Sequence, residues 1–560
     1  MKRSARFDND DVKKALNEVD TATTRPVSPS PSKAVHFMKN YNNKSVTENG
    51  AIAYKTTTHP LLDMNFMVSS FRDWNEEDIV KLFVTAYYED RVHAVKWLFY
   101  LRDVLEGLGE RRTFRVCLSY LVHSHQEVAL AIMSLIPEYG RYDDLMVYVD
   151  SPLCRQVCVF MKRQLNKDIA NMKAGLPISL LAKWLPSNNT SSKKARRLAR
   201  IITKNFSMTE REYRKTLSEL RRYLDVVEVK ISASEWSEVN YETLPAKANM
   251  KYEEAFEKHD EERRQKYLLD AFMGDGKLNV NGLAPHEIVH RLMERRNRGF
   301  LKDDLLVEAL WKHVCDNGFA NEWGLEDCIV VADGSGSMYS HVSGSTNIRA
   351  IEVCNALAIY FAEQLKGVFH DMAITFSENP QFVDLSKGTS LKERLDIMFS
   401  HNEVANTNVE AVFDMLLDMA VSKQVPPEQM PKQVLIISDM EFDEATNKRL
   451  YNWIPGKGYD KERSPFTQAL FDVIEQRYHE AGYVIPRLIF WNVCGRSNTI
   501  PKVEGDSGIC LLSGFSQNAI KVAAHREVKD PFECLLKTLD APRYDKVQRA
   551  LDELQLPNAQ

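Results

Sequence analysis

The chain has 560 residues, of which 44% are hydrophobic and 27% are charged, with a formal net charge of −5. This length exceeds one ordinary domain, and the charge excludes a uniformly basic protein, so any nucleic-acid-binding surface must be local. No run approaches the ~18 apolar residues of a membrane span. The charged first residues predict no signal peptide, and the nine scattered cysteines suit free thiols. We therefore expect a cytoplasmic or nuclear protein without a membrane partner.

The first 45 residues are polar, and Thr21 to Lys33 read "TATTRPVSPSPSK". Repeated Ser-Pro steps in a polar segment are typical of chains that cannot bury enough apolar surface to fold. We expect a disordered arm over residues 1–45.

The pattern becomes helical after this arm. Asn75 is placed to cap a helix, and Ile79, Phe83 and Ala86 recur at helical spacing. Similar segments with short breaks continue to about Cys315, with few strand-like runs. The pattern predicts an all-α helical-repeat domain over residues 46–320, built from stacked antiparallel helix pairs.

The second half changes in character after Glu326. Apolar runs typical of buried strands alternate with helical segments, which predicts an α/β, doubly wound, mostly parallel sheet over residues 325–525. The remaining residues 526–560 are expected to form C-terminal helices. The predicted strands are "CIVVAD" (328–333), "MAITFS" (372–377), "QVLIISD" (433–439), "PRLIFWNV" (486–493) and "GICLLS" (508–513).

The first predicted strand ends in one acid and two serines separated by glycines. Asp333, Ser335 and Ser337 alternate along an extended segment, so their oxygens point to one side. Thr407 precedes a helix, and Asp439 ends another central strand. Carboxylate and hydroxyl oxygens are ligands that Mg²⁺ prefers. We expect these five residues to converge on Mg²⁺ or another hard divalent cation, although serines that merely cap a turn would give the same local pattern.

In order and spacing these five residues resemble the metal-ion-dependent adhesion site of von Willebrand factor type A domains, which are Rossmann-like. The resemblance covers about residues 325–525. It implies that the metal has one open position for water or for an acidic group of a partner, unless the site is purely structural.

Enzymatic functions find less support in the sequence. Neither Ser335 nor Ser337 has the flanking glycines of a nucleophile elbow. The "PGKGYD" segment that begins at Pro455 lacks the spacing of a phosphate-binding loop, so no nucleotide cofactor is expected. A metal-bound water acting in a hydrolase remains a third hypothesis. We assign no catalytic residue and expect a protein that is not an enzyme.

Two further resemblances differ in extent: the first is confined to one segment, and the second covers nearly the whole chain. The segment "WLFYLRDVLEGLGERRTFR", Trp97 to Arg115, resembles a signature of the TROVE module of the Ro autoantigen and of telomerase- and vault-associated proteins. That resemblance implies a helical ring that binds noncoding RNA. Nearly the whole chain is also similar to the family called domain of unknown function 2828. The segments that carry this resemblance are 49–66, 97–115, 185–202, 241–268 and 437–443.

A local basic run offers a candidate RNA surface. Its residues are Lys193, Lys194, Arg196, Arg197, Arg200, Lys204, Arg211 and Arg214, followed by Lys215, Arg221 and Arg222. Such a run is also compatible with a solvated helix face. Three aromatic residues are candidates either for base stacking or for core packing: Trp184, Tyr213 and Trp236. Three arginines either extend the surface or pair with Asp103 and Glu110: Arg111, Arg112 and Arg115.

The leading hypothesis is therefore a non-enzymatic RNA-binding protein of a ribonucleoprotein or RNA quality-control system. In the main alternative, the protein is an adaptor whose metal binds an acidic side chain of a protein partner.

Overall fold

The structure is a computed structural model. It describes residues 44–46, 52–299, 304–316, 327–343, 347–365, 369–377, 379–402, 409–440, 452–454, 458–460, 470–495, 509–525 and 530–554. The expected arm at residues 1–45 lies outside these ranges except for its last two residues. Those two belong to a short hairpin of β1 (Lys44–Val46) and β2 (Ile52–Tyr54), which the sequence did not predict.

Helices fill the first half of the chain, as the sequence pattern predicts. They are α1 (Pro60–Phe66), α2 (Glu76–Glu89), α3 (Arg91–Arg102), α4 (Arg112–Ser124), α5 (Gln126–Ile132), α6 (Ile136–Tyr139), α7 (Met146–Val149), α8 (Cys154–Lys173), α9 (Leu181–Trp184), α10 (Lys193–Asn205), α11 (Glu210–Tyr223), α12 (Val227–Ala233), α13 (Ala246–Lys251), α14 (Glu253–His259), α15 (Glu261–Met273), α16 (Pro285–Asn297) and α17 (Leu305–Asp316).

The start of α2 shows why the helical prediction holds. The Asn75 side chain accepts a hydrogen bond from the Asp78 backbone N–H at 2.8 Å, which satisfies one of the free donors of the first turn. Ile79, Phe83 and Ala86 are fully buried on one face. That face packs against α3 and α4, so the periodicity read from the sequence corresponds to a helix–helix contact.

The second half forms a six-stranded sheet with helices. Its strands are β3 (Cys328–Asp333), β4 (Met372–Phe376), β5 (Phe382–Asp384), β6 (Gln433–Ser438), β9 (Arg487–Asn492) and β10 (Ile509–Ser513). A separate short hairpin pairs β7 (Asn452–Ile454) with β8 (Gly458–Asp460). The helices are α18 (Ala350–Gln364), α19 (Leu391–His401), α20 (Val409–Lys423), α21 (Leu470–Glu480), α22 (Pro531–Leu539) and α23 (Asp545–Asp552).

The strand order in the sheet is β10-β9-β6-β3-β4-β5, and every pairing is parallel except that of β5 with β4. The first strand, β3, is therefore central and fully buried, and α18 packs on it. Successive strands run outward to one side and then to the other, so the order reverses between β3 and β6. Ligand crevices of α/β sheets lie beyond the carboxyl ends of the strands at such a reversal.

The two halves of the chain are packed together around one contiguous hydrophobic core. Helix α1 contacts β10, and α16 lies along α18. The C-terminal helices return to the first half, where α23 packs on α3 and α5. The carboxyl ends of the sheet strands, called here the carboxyl edge, are therefore close to helices from the start of the chain.

None of the helices within the described ranges has the length and apolar character needed to cross a bilayer.

Candidate functional site

Asp333 is the last residue of β3, and its side chain is fully buried. One carboxylate oxygen accepts a hydrogen bond from the Ser335 backbone N–H at 2.9 Å, and the other accepts from the Ser438 hydroxyl at 2.6 Å. In the part of the chain that the structure describes, no basic side chain forms an ion pair with Asp333. A buried carboxylate without a cation is costly, so this position calls for either a proton or a metal ion.

The two predicted serines lie in the tight turn that follows β3. The Ser335 and Ser337 hydroxyl oxygens are 3.0 Å apart, which is close enough for both to contact one ion. Gly334 lets this turn pack closely against Asn402, because a Cβ at that position would lie 2.8 Å from the Asn402 amide oxygen. The predicted grouping of Asp333, Ser335 and Ser337 is therefore present as a local cluster.

Asp439 comes from the neighbouring strand. It directly follows β6, which pairs with β3 in parallel register, and its side chain is also buried. Burial raises the pKa of Asp333 to about 7, the negative charge of Asp439 contributes in the same direction, and the Ser438 hydrogen bond opposes them. Two acids that repel each other in a buried place fit a divalent cation, which would neutralise both. The fifth predicted ligand, Thr407, lies outside the described residues.

Sequence analysis missed several polar groups at the same edge. Ser438 binds Asp333 directly, and its place at a strand end was the only available signal. The Ser377 hydroxyl, just beyond β4, and the Asn402 amide nitrogen are buried and have no hydrogen-bond partner within the described chain. Asn355 on α18 is fully buried, and both of its side-chain polar atoms also have no hydrogen-bond partner within the described chain. Ser377 and Asn402 reach the β3 end through tertiary packing, because β4 pairs with β3 and Asn402 lies beside Gly334.

The donor set at this site consists of carboxylates and hydroxyls. No group of three or more His, Cys, Asp or Glu side chains suited to a metal occurs within the described ranges. A metal at β3 and β6 therefore depends on Asp333 and Asp439 with serine hydroxyls. This is the hard-oxygen environment that suits Mg²⁺ rather than zinc.

The other half of the carboxyl edge is bound by the helical region. The Asn492 amide oxygen, at the end of β9, accepts from the Ser69 hydroxyl at 3.0 Å, and its amide nitrogen donates to the Phe66 carbonyl at 3.2 Å. The Ser513 hydroxyl, at the end of β10, accepts from the Ser69 backbone N–H at 3.0 Å. The polar strand ends of β9 and β10 therefore attach the two halves of the molecule to each other.

The Trp97–Arg115 segment contributes to the same attachment. Asp103 is fully buried and accepts two hydrogen bonds from the Arg543 guanidinium at 2.8 and 2.9 Å, which raise the pKa of Arg543. Gly107 is required because a Cβ there would clash with the Tyr100 carbonyl, and Gly109 has a positive φ of 69°. Residues of this segment thus form a turn that holds the C-terminal segment.

The predicted basic run forms two neighbouring amphipathic helices. On α10, the residues Lys193, Arg197, Arg200 and Lys204 follow i, i+4, i+7 and i+11 spacing and are exposed on one face. On α11, Arg211 and Arg214 are exposed too. Lys194 is likewise exposed, and Arg196 is half-buried.

Few of these cations are neutralised within the described chain. Arg197 pairs with Asp150 and Lys215 pairs with Glu219, whereas Lys193, Lys194, Arg200, Lys204, Arg211 and Arg214 form no ion pair there. Arg221 has a structural role instead, because it donates to the Ala182 and Leu185 carbonyls and the Ser187 hydroxyl. These bonds use three of its five N–H donors and fix the guanidinium against residues 182–187.

The candidate stacking residues are engaged within the protein. Tyr213 is fully buried and donates to the Pro186 carbonyl at 3.0 Å, which excludes stacking on a base. The Arg141 guanidinium covers the Trp184 ring at 3.9 Å, and Trp236 stacks on the His259 ring.

Arg112 and Arg115 also have structural partners, although not the expected ones. Arg112 donates to the Phe71 and Trp74 carbonyls, and Arg115 pairs with Asp143 and Asp144 rather than with Asp103 or Glu110.

Helix α8 adds basic residues that sequence analysis did not single out. Residues 154–223, from the start of α8 to the end of α11, contain 17 Lys and Arg but only four Asp and Glu, a net charge of +13. The whole chain has a net charge of −5, so the remaining residues total −18. The only acid on α8, Asp168, is buried and accepts hydrogen bonds from Ser179. The basic surface thus extends beyond the predicted run.

By its fold, the chain is a multidomain protein in which an α-helical region packs against an α/β region with a mostly parallel sheet. Residues 47–139 and 152–317 match the family model of the domain of unknown function DUF2828, which confirms that part of the expected resemblance. Residues 327–552 match a different model, the domain of unknown function DUF7788, so the DUF2828 match does not extend over the second half. The chain is also 29% identical over 541 residues to "Uncharacterized protein L728" of Acanthamoeba polyphaga mimivirus, covering 89% of this chain and 87% of the viral protein.

Proposed function

We propose that this protein binds RNA through the surface of α8, α10 and α11, without acting as an enzyme, as a component of a ribonucleoprotein or RNA quality-control system. The supporting observation is the charge of +13 concentrated in 70 residues of a chain whose net charge is −5. A phosphate backbone is the common partner of such a concentrated positive field. The likeness of the Trp97–Arg115 segment to the TROVE signature favours RNA among polyanions.

The geometry of α10 supports phosphate contacts. Lys193, Arg200 and Lys204 are exposed on one helix face and have no described acidic partner. Opposite that face, Leu198 and Ile202 are buried in the core, so the helix cannot turn its charges away from solvent. The basic side chains therefore remain available to a ligand.

The test removes three of these charges. In a Lys193→Gln, Arg200→Gln, Lys204→Gln variant, affinity for single-stranded RNA is expected to fall about tenfold or more at moderate salt. The slope of log affinity against log salt is expected to decrease by roughly 2, at ~0.7 per lost phosphate contact. Fluorescence anisotropy over a salt series measures both quantities.

A matched control removes three exposed lysines elsewhere in the helical region: Lys258→Gln, Lys266→Gln and Lys277→Gln. The net charge changes equally, so a purely global effect would weaken RNA binding to the same extent. Equal losses in the two variants, or binding by the parent that does not depend on salt, would contradict the proposed surface.

We further propose that the α/β region is a von Willebrand type A-like domain that holds Mg²⁺ with Asp333, Ser335, Ser337, Asp439 and, from the sequence pattern, Thr407. The central position of β3, the strand reversal between β3 and β6, and the raised pKa of Asp333 support this assignment. When bound, the metal would offer one coordination position to an oxygen ligand.

The adaptor function remains the second candidate because of this site. An acidic side chain of a protein partner is a suitable sixth ligand for a metal that already has carboxylate and hydroxyl ligands. Partner capture that requires Mg²⁺ and is lost in Asp333→Asn, while the α10 triple variant retains it, would favour the adaptor over the RNA-binding protein.

A further inference from the structure

A surface groove of about 510 Å³ lies between α5 and α8. This volume is within the range of ~300–1,000 Å³ that is usual for small-ligand sites. The apolar part of its lining consists of Leu130, Met133, Val159 and Phe160. Leu130 and Val159 are 43% and 44% exposed, which leaves apolar surface in contact with water. None of the functional residues predicted from the sequence lies here.

The rest of the lining is polar and comes from α8: Gln156 and two arginines. Arg155, Val159 and Arg163 follow i, i+4 and i+8 spacing, so both guanidinium groups lie on the helix face that contains the exposed valine. Both arginines are exposed, and neither forms an ion pair within the described chain. The groove therefore combines an apolar floor with two available cations.

The groove adjoins the proposed RNA surface. The Asn205 amide, at the end of α10, lies 3.9 Å from the Cys154 sulfur at the start of α8. Arg197 of α10 pairs with Asp150 in the segment just before α8. A polyanion that follows the basic face of α10 would therefore reach Arg155 next.

We propose that this groove binds unpaired nucleobases of a single-stranded RNA, with the adjoining phosphates on Arg155 and Arg163. This proposal rests on the proposed function and specifies its ligand. Unpaired bases have apolar faces that need a partner, whereas the bases of a duplex are already stacked on each other. The positive charge of the neighbouring helices fits a long polyanion better than a short acidic peptide.

The test removes the apolar floor without changing charge. Leu130→Gln and Val159→Gln are combined, since both side chains are partly exposed and neither belongs to the buried core. The probes are a single-stranded RNA and an abasic phosphodiester chain of the same length. The parent is expected to prefer the RNA over the abasic chain by about fivefold or more, because the faces of the bases leave water for the apolar lining. The double variant is expected to lose this preference while its salt slope stays unchanged.

The control makes the same two changes at other exposed positions, Leu269→Gln and Val421→Gln, which are 52% and 53% exposed. This control is expected to keep the preference for RNA. If the parent prefers RNA and the groove variant still does, the groove is not the base site, and the proposed function survives. If the parent binds neither probe, both proposals are wrong.

A second measurement separates RNA from a protein partner. A photoreactive residue placed at Val159 is expected to crosslink to the RNA probe when RNA and cell-derived proteins are both present. Crosslinking to a polypeptide with no RNA adduct would overturn the proposal and indicate a peptide-binding groove.

Discussion

The two halves of the sheet's carboxyl edge use similar polar residues for different purposes. At β9 and β10, Asn492 and Ser513 are bound by Ser69 and the Phe66 carbonyl of the helical region. At β3 and β6, Asp333 and Asp439 are buried close enough for their charges to repel.

The difference shows how to separate a structural contact from a candidate site. Asn492 has donors and acceptors on the helical region that match it, so its burial costs little. Asp333 is buried without a described cation, so its environment suits an ion better than a carboxylate alone. Substitution of the polar residues at the ends of β9 and β10 should therefore destabilise the protein. Substitution of Asp333 at the end of β3 should not destabilise the metal-free protein.

The largest effect is expected for Asp103→Ala, which removes the buried partner of Arg543. The change is expected to lower the free energy of unfolding by about 3–5 kcal/mol, because the Arg543 guanidinium and the backbone donors of the turn lose their acceptor. Chemical denaturation measures the change.

Glu106→Gln is the control, because Glu106 contacts Lys521 and Arg543 from a largely exposed position. Its cost is expected to stay below ~1 kcal/mol. Similar losses for the two variants would mean that the Asp103–Arg543 pair does not hold the C-terminal segment.

The second prediction concerns pH and His286, which lies against the Phe515 ring between the two halves. Burial lowers the pKa of His286 to about 4. The unfolded chain therefore binds more protons than the folded chain between pH ~6.5 and ~4, and stability falls as the pH is lowered through this window, by roughly 3 kcal/mol in total.

Denaturation at pH 7 and pH 4.5 measures this loss in the parent. His286→Leu is expected to show a smaller loss, whereas His123→Leu, at an exposed position, should behave like the parent. An unchanged pH dependence in His286→Leu would rule out His286 as its source.

The third prediction directly tests the contact between the helical region and the ends of β9 and β10. Asn492→Ala leaves the Ser69 hydroxyl and the Cys494 and Gly495 backbone donors without their acceptor. The expected cost is about 2 kcal/mol. Hydrogen exchange should also accelerate at residues 66–70. Exchange that stays at the parent's level there would show that Asn492 does not attach the helical region.

The smallest effect is expected where the helical region contacts the loop that follows β3, which carries the proposed metal ligands. The Ser343 hydroxyl, beyond Ser337, donates to Asp73 at 2.9 Å. Ser343→Ala is expected to cost less than ~1 kcal/mol, the usual net value of one hydrogen bond. Calorimetric titration is expected to show slightly weaker Mg²⁺ binding. A tighter metal site in the variant would mean that this contact strains the loop.

Much of the second half could be predicted because its strands are buried on both faces. Continuous apolar runs such as Cys328–Asp333 cannot be mistaken for amphipathic surface elements, and each of the five predicted strands agrees with the structure to within about one residue at either end. The positions of Asp333 and Asp439 followed from the rule that parallel strands end at one edge. The three-residue strand β5 was missed because so short a run has no usable periodicity.

What could not be predicted depends on contacts between distant parts of the chain. The roles of Ser69 and Asn492 arise from a contact across 423 positions, which no local pattern encodes. Sequence analysis left open whether Arg115 pairs with Asp103 and Glu110, and it missed the true partners, Asp143 and Asp144, because the nearest acids in sequence are not the nearest in space. The groove beside α8 likewise depends on how α5 packs against it.

The most direct test of the central claim is thermal unfolding with and without Mg²⁺ for the parent, Asp333→Asn and the exposed control Glu428→Gln. At a metal concentration ~100 times the dissociation constant, Mg²⁺ should stabilise the parent and the control by about 2.7 kcal/mol. Asp333→Asn should show no Mg²⁺ shift and should be at least as stable as the parent without metal, because the repulsion of Asp439 is gone. A parent that melts identically with and without Mg²⁺, or an Asp333→Asn variant that keeps the shift, would contradict the account.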